Sequence, residues 1–281
     1  MAVTAMDRWT LEQAAAHGAA RVPETDPATG RLLWRCRVLG RDGPWIYVDP
    51  DDVEIAPHLA RSGCWEPWLT AALLRHLRRG MRCVDVGANC GYYALLMADR
   101  VGPTGRVLAV EPHPALAALI RRSAEANRFG HLEVAAVAAG RQGSEATLRV
   151  RHADDGRRYL GGSSLYFDAS RPADAYAVPV RSLDALLASW DRVDLVKVDV
   201  EGAELDALAG MAQTVARSPH LVLIVELAAG RGYDVETAAR DLTAFFGLFL
   251  VDVSGDLQPA TPAEVAQRVR RQEVAEVWCE R

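Results

Sequence analysis

The chain has 281 residues, half of them hydrophobic and 25% charged, with a formal net charge of -5 and a pI near 5.8. That is enough apolar material for one large domain, or one domain plus an appendage, and it excludes a disordered or repeat-built chain. The acidic balance speaks against a nucleic-acid partner, whose phosphates need a basic face.

The five cysteines, Cys36, Cys64, Cys83, Cys90 and Cys279, form no CxxC pair and no cluster with histidine at metal-binding spacing. They fit a reducing, cytoplasmic setting. The N-terminal alanines are interrupted by Asp7, Arg8 and Glu12, so no signal-peptide core is present, and no apolar run reaches membrane-span length.

In chain order, residues 1–60 read as an extension: a short helix over 7–20, then strands in RLLWRCRVLG and WIYVD about a turn at Arg41-Asp42-Gly43-Pro44. Residues 61–281 read as the main domain. Apolar spacing predicts a helix from Trp68 to Arg79, ended by Gly80, with Arg75, Arg78 and Arg79 complementing the dipole of its last turn. Five β-rich runs follow, CVDV, RVLAVE, LEVAAVA, DLVKVDV and LVLIVE, separated by helical stretches around 92–100, 113–128, 203–217 and 235–246. Continuous apolar strands alternating with helices predict a parallel sheet covered on both faces. Residues 145–182 read as two strands flanking a mobile loop, HADDGRRYLGGSS. The end of the chain reads as LFLVDV, a helix over 263–271, and VAEVWCE inserted antiparallel.

In such sheets ligands sit beyond the carboxyl ends of the strands. This chain delivers Asp85 with the GANCG turn, Glu111, Asp199 with Glu201, and Glu226 to that rim. Gly87 permits a sharp turn, and Gly91 lets the next helix pack close while its first amides stay open to a ligand. A dinucleotide fold wants a glycine where Asn89 stands, which disfavours a diphosphate. Glu111 comes twenty-six residues after Asp85 and precedes Pro112, a position from which a carboxylate can accept from both ribose hydroxyls. The combination implies a nucleoside without a pyrophosphate that tolerates acids. S-adenosylmethionine meets both conditions, with a ribose for Glu111 and a cationic sulfonium and ammonium for the acidic rim.

The runs VDVGANCGYYALLMADRVGPTGRVLAVEPHP, RSLDALL, LVKVDVEGAELDALAGM and LVLIVE, with the lead-in GCWEPW, resemble the FkbM-type S-adenosylmethionine-dependent methyltransferases over residues 62–230. The paired motifs DVGAN-x-G and K-x-DVEG-x-E are together specific. The resemblance implies a Rossmann-like, seven-stranded class I methyltransferase sheet, mostly parallel with its last strand antiparallel, and O-methylation of a sugar or natural-product hydroxyl. It implies cofactor contacts at Asp85, Gly87, Asn89, Gly91 and Glu111, and along the backbone at Ala138. Glu66, Tyr92, Pro112, Ser164 and Asp199 belong to the same expected set. The segment Ala138-Ala139-Gly140 offers no polar side chain to the adenine, so backbone must serve there.

For chemistry, alternation puts Lys197, Asp199 and Glu201 on one face. A lysine inside a parallel strand reads either as a catalytic group or as a buried ion pair with Asp199 or Glu226. Glu201 reads either as catalytic or as a cap on a helix starting near Gly202. Asp199 or Glu226 could remove the acceptor's proton, or Asp199, Glu201 and Glu226 could hold Mg²⁺. Trp65, Trp68, Tyr92, Tyr93 and Tyr159 could line the acceptor pocket. The histidines read as surface residues, with His113 and His152 placed to reach the pocket. The extension and the loop over 150–165 are expected to build the acceptor site, and the N-terminal strands could pair across a homodimer. N-methylation, nicotinamide-dependent oxidation and a nucleoside-sensing module are the competing readings.

Overall fold

The computed structural model describes residues 22–27, 29–40, 42–166 and 173–281, so the helix expected over 7–20 lies outside the described residues. The described residues open with β1 (Val22–Thr25), β2 (Leu32–Arg37) and β3 (Trp45–Val48), an antiparallel three-stranded sheet. Helices α1 (Ile55–Ser62) and α2 (Pro67–His76) follow. The second is shorter than its apolar spacing predicts: Leu77 is extended (φ -59°, ψ 136°), so Arg78 and Arg79 lie beyond the helix, and Arg78 reaches back to the Arg75 carbonyl.

Alternation then begins with β4 (Arg82–Val86), α3 (Tyr92–Val101), β5 (Arg106–Val110), α4 (Pro114–Asn127) and β6 (Leu132–Ala135). The run LEVAAVA is not one strand. It leaves the sheet after Ala135, and Ala138–Ala139 re-forms as β7 in another sheet. That second sheet contains β8 (Ser144–His152), β9 (Arg158–Ser164) and β10 (Ala173–Arg181), in the order β7-β10-β8-β9. The polar stretch expected as a mobile loop is therefore a turn followed by strand β9, held by pairing to β8 through Arg149, Arg151 and His152.

The chain continues through α5 (Leu183–Leu186), β11 (Leu195–Val198), α6 (Glu204–Ala209), α7 (Ala212–Ala216), β12 (Val222–Ala228) and α8 (Val235–Leu242). It closes with β13 (Gly247–Val251), β14 (Leu257–Pro259), α9 (Pro262–Gln272) and β15 (Val274–Glu280). The main sheet runs β14-β13-β15-β12-β11-β4-β5-β6. The strands β6, β5, β4, β11 and β12 are parallel, and β15 enters antiparallel to both β12 and β13. This is the expected α/β methyltransferase-type sheet with an eighth strand, β14, added as an edge hairpin. One apolar cluster packs α2 and α3 on one face, and another packs α8 and α9 on the other. All five cysteines are buried. Among the described residues no helix is long and apolar enough to cross a membrane.

Candidate active site

Because β4, β5, β11 and β12 are parallel and in register, the residues that end them meet at one edge. A cavity opens there, with an empty volume of about 1080 Å³ that includes its solvent mouth. Its wall contains Gly87 and Asn89 after β4, Glu111 and Pro112 after β5, Ala138 on β7, Lys197 on β11 with Asp199 and Glu201 after it, and Glu226 on β12. Glu66 and Tyr92 also line it, with Trp65 and Tyr93 beside them.

Asp85, Gly91 and Ser164 do not line this cavity. Asp85 is 1% exposed, with no hydrogen bond to either carboxylate oxygen. Burial pushes its pKa up to about 6, helped by Asp199 and opposed by the Lys197 ammonium. Gly91 begins α3 at φ +91°, and a Cβ there would meet Ile120 at 3.0 Å, so this glycine serves helix packing. Ser164 donates to the Glu201 carbonyl at 2.6 Å and accepts from the Tyr166 amide at 3.0 Å, clamping β9 to the loop after β11.

The glycine of the turn is dictated by the neighbouring strand. Gly87 has φ +80°, and a Cβ on it would sit 1.7 Å from the Asp199 carbonyl oxygen. Asn89 also lies in the left-handed region (φ 53°), which asparagine tolerates better than most residues. Its amide donates to Glu111 Oε2 at 2.8 Å, while His113 N donates to Glu111 Oε1 at 2.8 Å. Each oxygen thus spends one acceptor site on backbone and retains another. Burial, reinforced by Asp85 and Asp199, raises Glu111 to about 8 although both amides pull it down. Val110, Ala138, Leu148, Leu160 and Leu165 give the same cavity an apolar slot of wall.

On the other side the carboxylates crowd. Lys197 donates to Asp199 Oδ2 at 2.9 Å, and its ammonium lies 4.8 Å from the Tyr93 ring centre. Burial works against the ammonium, but Asp199, Asp85 and Glu66 outweigh it, and its pKa is raised. Lys197 is therefore a fixed cation, the ion pair with Asp199 that its strand position suggested. Glu201 does not cap a helix, since α6 starts at Glu204. It sits at φ 55° and pairs with Arg231, which also lies 3.9 Å from Glu226. Burial first, then neighbouring acids, lift Glu201 to about 7 and Glu226 well above the usual range. Glu66 is also lifted to about 7, chiefly by burial, and accepts from the Tyr93 hydroxyl at 2.6 Å. Its backbone is left-handed (φ 39°) immediately before Pro67, a strained placement that holds the acid in the wall.

Three groups escape the sequence reading. Glu54, in the segment before α1, lines the cavity and accepts from Gly162 N at 2.8 Å. Glu204 is 1% exposed and accepts from Gly202 N at 2.9 Å and from the Tyr233 hydroxyl, fastening the loop that carries Asp199 and Glu201. Its place in K-x-DVEG-x-E is the signal that could have found it. Arg231 lies in a turn with no motif. Trp68 and Tyr159 stand outside the wall. His113 is no surface residue: it is 1% exposed, its Nδ1 caps α4 by accepting from Leu116 N, and burial lowers it to about 4.

Against known proteins, the family model described as "Methyltransferase FkbM domain" matches residues 85–250. The chain is 38% identical over 79 residues to a protein-L-isoaspartate O-methyltransferase of Methanothrix thermoacetophila, covering 28% of this chain and 34% of that protein. It is 30% identical over 148 residues to Methyltransferase 1 of Beauveria bassiana, covering 46% of this chain and 57% of that one. The chain thus spans less than two thirds of the length of either relative. The FkbM methyltransferase structure from Methylobacillus flagellatus superposes with a TM-score of 0.44 at 19% identity, over 71% of this chain and 43% of that one, too distant to carry an argument. The family match extends over more than half of the sequence and contains the DVGAN and DVEG turns that build the cavity, and the chain belongs to the FkbM methyltransferase family.

Proposed function

We propose that this chain transfers the methyl group of S-adenosylmethionine to a hydroxyl of a small molecule, a sugar or a secondary-metabolite intermediate. The observation that carries the reading is Glu111: a buried carboxylate at the end of β5 that lines the cavity, fixed by one amide on each oxygen, so that each oxygen keeps a further acceptor site. A pair of acceptors so spaced suits a vicinal diol, and the apolar slot of the same cavity suits a purine. The acidic rim and Asn89 are hostile to a diphosphate.

When bound, S-adenosylmethionine supplies an electrophilic methyl carbon on a sulfonium. Glu111 receives the ribose hydroxyls, and Ala138 with its apolar neighbours receives the ring. Gly87 and Asn89 shape the turn that the rest of the ligand meets. The acceptor hydroxyl must give up its proton as the new C–O bond forms and the C–S electron pair returns to sulfur. Glu226 is the proton acceptor the geometry favours. Among the described residues its nearest ion-pair partner is Arg231 at 3.9 Å, whereas Asp199 is tied to Lys197 at 2.9 Å. Lys197 and Asp199 then act as a pair, holding the rim and orienting the acceptor.

The oxygens of Asp199, Glu201 and Glu226 lie within 4.8 Å of one another, and three carboxylates are donors a hard divalent ion accepts. Arg231 on Glu201 and Lys197 on Asp199 already occupy the positive positions, so this trio does not fit Mg²⁺ without breaking both pairs. No step of the proposed reaction runs through a metal.

The test is turnover. The protein is incubated with S-adenosylmethionine and a panel of hydroxylated and amine-bearing acceptors, following S-adenosylhomocysteine and the methylated product. Product methylated on oxygen supports the reading. Methylation confined to nitrogen, or cofactor consumption with no methylated product, contradicts it.

A further inference from the structure

Strand β9 carries two glycines at its centre, Gly161 and Gly162. Glycine inside a strand weakens it and marks a place that another group approaches closely. Here that group is the Glu54 carboxylate. A Cβ on Gly161 would sit 2.8 Å from Glu54 Oε2, and one on Gly162 would sit 3.6 Å from Oε1 and 3.2 Å from Arg151 Nη2. Glu54 Oε2 in turn accepts from Gly162 N at 2.8 Å.

The segment that carries Glu54 is stitched to β9 by backbone, with Val53 N donating to the Arg158 carbonyl at 3.1 Å and Arg158 N to the Asp51 carbonyl at 2.9 Å. Two acids divide the work of this corner. Asp52 is buried and accepts from Ile55 N and Ala56 N at the start of α1 and from Leu160 N of β9. Glu54 makes no cap bond to α1 and lines the cavity, as do Gly161 and Ser163. Asn89 Nδ2 lies 3.6 Å from the same Cβ position on Gly161, and Glu201 feels the charge of Glu54. Glu54 therefore stands where the turn after β4 and the loop after β11 border the cavity. It also lies outside residues 85–250, the stretch shared with the family, whereas the cofactor turns lie inside it. Burial raises Glu54, helped by Asp52, and the Gly162 amide and Arg151 oppose it. With a guanidinium already in place, the acceptor sites that the carboxylate keeps suit a neutral hydroxyl better than a second cation.

Resting on the methyltransferase reading above, we propose that Glu54 reads the acceptor: it accepts a hydrogen bond from a second hydroxyl of that molecule, so the substrate class is a neutral diol or polyol and not a lone alcohol. One hydroxyl held by Glu54 fixes the direction of the other, the one to be methylated, towards the methyl carbon. Gly161 and Gly162 are small so that the carboxylate can reach the wall from which it does this.

The test uses the full chain saturated with S-adenosylhomocysteine at pH 8, above the ordinary carboxylate range. Two matched sets of probes are titrated calorimetrically, methyl glucoside with its monodeoxy derivatives, and catechol with phenol. In at least one set, loss of one hydroxyl is expected to weaken binding about tenfold, the scale of one hydrogen bond to a charged acceptor. Glu54→Gln separates this role from a structural one, because glutamine keeps an oxygen for the Gly162 amide but replaces the other by a donor. The variant is expected to keep its urea midpoint, to hold S-adenosylhomocysteine within a few-fold of the native affinity, and to erase the difference between each probe and its deoxy counterpart. Gly161→Ala, whose Cβ displaces the carboxylate, should erase it too and serves if Glu54→Gln does not fold. A Glu54→Gln variant that keeps the preference, equal affinity across both sets in the native protein, or no binding of any probe overturns the proposal. So does a Glu54→Gln variant that loses S-adenosylhomocysteine, which would put Glu54 on the cofactor. Failure of S-adenosylhomocysteine to bind the native protein would instead overturn the methyltransferase reading on which the proposal rests.

Discussion

Replacing Glu111 by alanine removes the cavity-lining carboxylate that keeps a further acceptor site on each oxygen. Hydrogen bonds to a charged acceptor contribute about 1.5 to 3 kcal/mol each, and alanine also frees the Asn89 and His113 amides to serve a ligand partially, so a net loss of about 1 to 3 kcal/mol is expected. That is a rise in Kd for S-adenosylmethionine of roughly 5- to 150-fold. The pH dependence is the sharper signature. Burial holds Glu111 protonated up to about pH 8 in the ligand-free protein, and a diol donating two hydrogen bonds selects the ionised form. Binding to the native protein should then release a proton below that pH, tightening about tenfold per pH unit from 6 towards 8 and levelling above it. Calorimetry across pH 6 to 9, in two buffers of different ionisation enthalpy, measures both affinity and proton release. A Glu111→Ala variant with unchanged Kd, or one that keeps the native pH slope, refutes the ribose assignment.

Asp199→Asn should leave cofactor affinity within a few-fold and lower turnover about a hundredfold or more, and a fully active variant would remove Asp199 from the chemistry. Lys197→Met strands the buried carboxylate Asp85 and the half-buried Asp199 and should cost about 3 to 5 kcal/mol in a urea melt; a loss under 1 kcal/mol would mean the ion pair is not structural. Gly87→Ala drives a Cβ into the Asp199 carbonyl at 1.7 Å, so β4 and β11 must part, and both folded yield and cofactor binding should fall. In the ligand-free protein Glu111, Glu66 and Glu201 are raised to about 8, 7 and 7, so they are protonated when folded at pH values where the unfolded chain has ionised them. Their contribution to stability is complete below about pH 4.5 and drains away as pH climbs through 7 to 8, by up to about 1.4 kcal/mol per pH unit per group. Thermal melts showing no such decline, or no recovery with bound S-adenosylhomocysteine, would contradict this electrostatic picture.

The strand ends were readable because their signals are local. A continuous apolar run stopping at a glycine or an acid marks a buried parallel strand and its rim, which brought Glu111, Asp199, Glu201 and Glu226 together correctly. Interactions made between distant segments left no such trace. Nothing in LEVAAVA says that Ala138 leaves its strand to pair with Val180, and nothing in RRYLGGSS says that it becomes a strand against Arg149 and His152. Glu54 reaches the cavity, and Arg231 reaches Glu201 in its wall, from segments without a motif. Asp85 looked like a ligand contact because it ends an apolar run, but side-chain alternation turns it towards Lys197 behind the wall. His113 looked exposed because histidine usually is, and became a buried cap because Pro114 starts a helix directly after it.

The central claim is that the rim built from β4, β5, β11 and β12 receives a nucleoside bearing a sulfonium and not a dinucleotide. Competitive calorimetric titration of the unliganded protein with S-adenosylmethionine and with NAD⁺ tests it directly. Saturable one-to-one binding of S-adenosylmethionine that NAD⁺ does not displace is the expected result. Displacement by NAD⁺, or heat from NAD⁺ alone, would contradict it.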